Sequence, residues 1–141
     1  MPTAIRDTCR PNGGASVIFI NGTADTVTHY GGGTLAVPSF PAYTMLSAEA
    51  SAPYFGRSNG CTAEPTMQRL PKRIASDNTS VSVIGYSGCA RGRVELWKVT
   101  GGGHTWPGGA RVYPSFITGT ISQQIHATEV LWRFFRRGPR S

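Results

Sequence analysis

Two short apolar runs, each emptied into a glycine turn that ends on an ionisable side chain, constrain this chain more than any other feature. The first is Val17-Ile18-Phe19-Ile20, followed by Asn21-Gly22-Thr23-Ala24-Asp25. The second is Val94-Glu95-Leu96-Trp97-Lys98-Val99, followed by Gly101-Gly102-Gly103-His104-Thr105-Trp106-Pro107-Gly108. A continuous β-branched run with no polar alternation suits a strand of a parallel sheet covered on both faces. Loops at the carboxyl ends of such strands bring distant residues together. The repeated arrangement therefore predicts an α/β fold in which Asp25 and His104 share one rim.

The remaining punctuation agrees with that class. The chain has 141 residues, 18 of them Gly and 10 Pro, with only 15% charged, a composition of turns and loops rather than of a helical bundle. Residues 30–41 read as loop, and a helix is expected over 51–57 with Ser51 as its cap and Pro53 in its first turn. Residues 80–86 read as a strand, and Arg91-Gly92-Arg93 as the turn into the run 94–99. From 122 to 137 the apolar residues Ile125, Val130, Leu131, Phe134 and Phe135 recur near helical spacing, with Gly138-Pro139 as the stop. Three strands with two or three helices make a small doubly wound sheet, too small to bury its own faces. The expectation is therefore an incomplete domain.

The formal net charge of +7 raises the question of a nucleic-acid partner. Arg133, Arg136, Arg137 and Arg140 crowd the C-terminus, where cations suit the negative end of a helix dipole. We read the charge as a solvated face, with no nucleic-acid partner. No run approaches the roughly 20 apolar residues of a membrane span, so no membrane partner is expected. The first residues hold no long apolar core of a signal peptide. No Cys or His cluster has metal-ligand spacing, so no metal site is expected. Cys9, Cys61 and Cys89 make an odd count. Cys61 and Cys89 follow Asn59-Gly60 and Ser87-Gly88, loop contexts in which a bridge could close; three unrelated small apolar residues fit the spacing nearly as well.

Asp25 and His104 have the types and places of the acid and base of a nucleophilic triad, in which a carboxylate holds one imidazole nitrogen while the other takes a proton. The fold's order places a serine ahead of both. Gly56-Arg57-Ser58-Asn59-Gly60 fits the letters of a nucleophile elbow but follows a helix rather than a strand, and lies between the acid and the base; we read it as a chance match. Gly85-Tyr86-Ser87-Gly88-Cys89 fails the pattern at its last position. His29 could rim a site, and His126 is expected on the surface of the last helix.

In order, Asn21-Gly22-Thr23-Ala24-Asp25, Tyr30-Gly31-Gly32-Gly33, Asn59-Gly60-Cys61, Tyr86-Ser87-Gly88-Cys89, the block 101–108 and Ala127-Thr128-Glu129-Val130-Leu131-Trp132-Arg133-Phe134-Phe135 resemble the C-terminal half of the polyhydroxybutyrate depolymerase and feruloyl esterase-like family of secreted α/β hydrolases. Phe55 and Pro53 depart from the pattern of that family. The resemblance implies that residues 1–141 are the C-terminal part of one α/β-hydrolase domain whose nucleophile-bearing leading half is absent. It implies Asp25 as the acid, His104 as the base, Trp106 in the substrate wall and Cys61 paired with Cys89. It also implies an ester substrate, no cofactor, and secretion directed from the leading half, with the chain alone inactive. The alternative expectation is a non-catalytic remnant or binding module that keeps half of the hydrolase fold.

Overall fold

The computed structural model describes residues 1–9, 14–36 and 41–136. In chain order the elements are α1 (Thr3–Thr8), β1 (Val17–Gly22), β2 (Gly33–Leu35), β3 (Tyr43–Met45), α2 (Ala48–Ser58), β4 (Thr66–Arg69), β5 (Ser80–Tyr86), β6 (Val94–Thr100), α3 (Ser115–Thr118) and α4 (Ala127–Arg136). β1, β6, β5 and β4 form one sheet in that order, and β2 pairs with β3 in a separate two-stranded ribbon. The chain is thus α/β, but its sheet is mixed rather than parallel. β1 runs parallel to β6, while β5 pairs antiparallel with both β6 and β4. The cause is local: the tight turn at 87–93 folds β6 straight back on β5 instead of routing the chain through a crossover helix.

Each sheet face has its own core. On one face Ala48 and Ala52 of α2 pack on Val94 and Leu96, with Phe19, Tyr30 and Phe55 around them. On the other, Val81 and Val99 pack on Ile125, with Ile20, Trp97 and Val130 around them. β1 and β6 are therefore covered on both faces, which is why residues 17–20 are an unbroken apolar run; in β6 the charged Glu95 and Lys98 are paired with Arg93 and Glu49. Residues facing α2 and residues facing α4 alternate along each strand, as the pleat demands.

Several boundaries differ from expectation. α2 begins at Ala48, because Ser47 supplies the cap: its Oγ accepts from the Ala50 amide at 2.9 Å. Ser51 instead lies fully buried, donating to the Ser47 carbonyl at 2.8 Å, and Pro53 stands inside the helix. The segment read as loop over 30–41 contains β2, a three-residue strand with no apolar run to announce it; residues 37–40 lie outside the described part. β4 is exposed throughout and takes its structure from pairing with β5. The final helix starts at Ala127, five residues later than its apolar spacing suggested, since residues 122–126 form an irregular segment held by side-chain hydrogen bonds. His126 accordingly precedes α4 and is half-buried.

Cys61 and Cys89 form a disulfide. It fastens the end of α2 to the β5–β6 turn, where Asn59 also grips the chain: its Oδ1 accepts from the Ala15 amide at 3.2 Å, and its Nδ2 donates to the Ala15 carbonyl at 2.7 Å. Gly60, at φ +66°, makes the turn between them.

Candidate active site

Because β1 and β6 are parallel neighbours, their carboxyl ends open on the same rim. The two loops that follow are braced to each other. Thr23 and Ala24 donate their amides to the carbonyls of Val99 and Gly102, both at 2.9 Å, and the Gly101 amide returns to Thr23 Oγ1 at 2.9 Å. This approach needs glycine: a Cβ on Gly22 would lie 2.2 Å from the Gly102 carbonyl oxygen.

The bracing brings Asp25 and His104 together. Asp25 is only 8% exposed. Its Oδ1 accepts from the amides of Val27 and Thr28 at 2.8 and 2.7 Å, and its Oδ2 lies 2.9 Å from His104 Nδ1. A carboxylate only accepts, so Nδ1 carries the proton, and in the neutral ring Nε2 keeps its lone pair. The His104 side chain is 47% exposed and lines a cleft of about 480 Å³. Among the described residues no hydrogen bond engages Nε2. The arrangement is an imidazole aligned by a buried acid, competent to take a proton from a hydroxyl in the cleft and return it.

Trp106 lines the same cleft, with its indole Nε1 donating to Thr128 Oγ1 at 3.1 Å. Val112, Tyr113 and Ile121, which no sequence signal singles out, line it too, as does Arg111. The irregular segment 110–114 carries no periodic signal, so only the folded chain reveals that it walls the site. Ser122 is the one serine among the described residues lining the cleft, but it is 1% exposed. Its hydroxyl lies 2.7 Å from Thr79 Oγ1 and accepts from the Gln124 amide at 3.3 Å, which occupies it. Ser58 ends α2 and does not line the cleft. His29 is exposed and borders a separate, much smaller hollow with Gly32 and Met45. Among the described residues no three His, Cys, Asp or Glu side chains are grouped to hold a metal ion, and no helix is long and apolar enough to cross a membrane.

Over 92% of its length the chain is 29% identical to a protein of Nocardia uniformis subsp. tsuyamanensis described as "Putative esterase NocK", of which it spans 39%. No family model matches. No solved structure matches. The chain is thus an α/β protein similar to part of a longer protein described as an esterase.

Proposed function

We propose that this chain is the acid- and base-bearing portion of a secreted serine carboxylic-ester hydrolase of the polyhydroxyalkanoate depolymerase and feruloyl or acetyl esterase type. The observation that carries the reading is the 2.9 Å contact between His104 Nδ1 and the buried Asp25 at the ends of two parallel strands. The similarity to a protein described as a putative esterase, of more than twice the length, is consistent with a site completed from elsewhere. β1 stands at the edge of the sheet with an apolar sequence and no neighbour on its outer side among the described residues. A strand added there in parallel opens its own carboxyl-end loop onto the rim of Asp25 and His104, where a nucleophile is needed.

In the completed enzyme the serine Oγ bonds to the ester carbonyl carbon as its proton passes to His104 Nε2. The tetrahedral intermediate then expels the alkoxide, which leaves with that proton. Water repeats the sequence on the acyl-enzyme, giving the acid and a free serine. Asp25 stays ionised throughout and steadies the imidazolium. The role of Trp106 is to wall the acyl or alcohol part of the ester. The Cys61–Cys89 bridge accords with an oxidising, extracellular setting.

The test is reconstitution. The segment encoded upstream of Met1, or the unmatched part of the Nocardia relative, is refolded with this chain and exposed to a fluorophosphonate probe. Labelling of a serine on that segment, dependent on this chain, is the expected result. Labelling of Ser58 instead contradicts the reading and makes that serine the nucleophile, and no labelling at all contradicts it and leaves the non-catalytic remnant.

A further inference from the structure

The loop that presents His104 is tied at four points to one stretch of chain. Gly103 N and Thr105 Oγ1 both donate to the Thr120 carbonyl, at 2.9 and 3.0 Å; Gly108 N donates to the Ser122 carbonyl at 2.8 Å; and Ala127 N donates to the Pro107 carbonyl at 2.9 Å. Residues 120–126 are neither helix nor strand, so backbone ladders do not fix their place. Side chains do. Ser122 Oγ meets Thr79 Oγ1 at 2.7 Å, and both residues are 1% exposed. Thr79 Oγ1 in turn lies 2.8 Å from Asp77 Oδ1, and Asp77 Oδ2 accepts from the Gln123 amide at 2.7 Å. Beside them Gln124 Oε1 accepts from the amides of Arg73 and Ile74 at 2.7 and 3.2 Å, while its Nε2 donates to the Ile74 carbonyl at 2.7 Å.

The chain of hydroxyls has a direction. Asp77 as a carboxylate only accepts, so Thr79 is the donor at that end, and the same Thr79 hydroxyl is the donor that Ser122 Oγ faces. Burial pushes the Asp77 carboxyl up, but the amides of Thr79 and Gln123, the Thr79 hydroxyl and the Lys72 charge together pull it lower, below its ordinary value. The anchor of the chain is therefore ionised at neutral pH.

We propose that Ser122, Thr79 and Asp77 are positioning residues that hold the His104 loop against Asp25. The proposal rests on the reading of Asp25 and His104 as an acid–base pair. The pair itself supplies one hydrogen bond from a half-exposed ring, too little to fix an imidazole on a glycine loop. A rigid second strap, buried and fully hydrogen-bonded, gives that loop a single resting place. None of the three residues touches a substrate atom in this scheme.

The readout is the His104 Nδ1 proton in the chain itself, observed by ¹H–¹⁵N NMR with ¹⁵N-histidine and assigned by its loss in Asp25→Asn. Thr79→Val keeps the shape and removes the hydroxyl; it is expected to preserve the amide spectrum of β1 and β6 while moving this resonance upfield and speeding its exchange with water roughly tenfold, the effect of one lost buried hydrogen bond. Thr79→Ser, which keeps the hydroxyl, retains the original signal. A folded Thr79→Val with an unchanged signal overturns the proposal and leaves the acid–base pair intact. Absence of an Asp25-dependent signal in the unsubstituted chain overturns both. Should Thr79→Val not fold, Ser122→Ala, which removes one hydroxyl, is judged by the same two outcomes.

Discussion

Opening the Cys61–Cys89 bridge measures how far the fold depends on a covalent staple. The two cysteines are 28 positions apart, and closing a loop of that length removes chain entropy worth about 3.6 kcal/mol at 25 °C. Little in the folded state should compensate. The end of α2 keeps Asn59 on Ala15 and the buried contact of Ala52 with the sheet, so the native structure survives reduction while the unfolded chain gains freedom. With a urea slope of about 1.8 kcal/mol per molar, suitable for a small domain, the midpoint falls by about 2 M. The assay is urea unfolding followed by tryptophan fluorescence, comparing the oxidised chain with a Cys61→Ser, Cys89→Ser double variant at equal slope. A midpoint moved by less than ~0.5 M refutes the loop-entropy reasoning, and three free thiols in the denatured, unreduced chain refute the bridge itself.

Other substitutions probe separate parts of the account. Leu96→Ala empties a fully buried position between α2 and the sheet and is expected to cost about 2–5 kcal/mol in the same unfolding assay; a cost under ~1 kcal/mol would mean the core is not packed there. Gly103→Ala places a Cβ 2.1 Å from the Thr118 carbonyl oxygen; displacement of residues 118–120 should lower stability by about 1–3 kcal/mol and abolish the Asp25-dependent signal of His104 in NMR, and an unchanged signal would count against the tight approach of these loops. Asp77 is held below its ordinary value in the folded chain, so it contributes stability that is present above the unfolded carboxyl's pKa and is lost as pH falls through the folded one. Asp77→Asn should therefore flatten the acid limb of the stability curve, and a parallel curve would be evidence against that linkage.

What was legible in the sequence follows from where the physics was local. β5 and β6 announce themselves through apolar and alternating runs, and Asp25 and His104 through glycine turns after such runs, because strand burial and turn conformation are written in adjacent residues. The mixed direction of the sheet was not, since the apolar run of β6 looks the same whichever way its neighbour β5 runs. β4 has all four residues exposed and owes its conformation to β5, which no local pattern records. The start of α4 was misplaced because Ile125 has helical spacing yet is buried from an irregular segment held by Asp77 and Thr79. Those partners lie more than forty positions away, beyond the reach of any periodicity.

The central claim is that His104, aligned by Asp25, is the base of an ester hydrolase, and the most direct measurement is the rate of p-nitrophenyl butyrate hydrolysis by the reconstituted protein with and without His104→Ala. The account predicts turnover that depends on both polypeptides and falls about 10⁴-fold or more when the imidazole is removed. Reconstituted activity indifferent to His104 would contradict it.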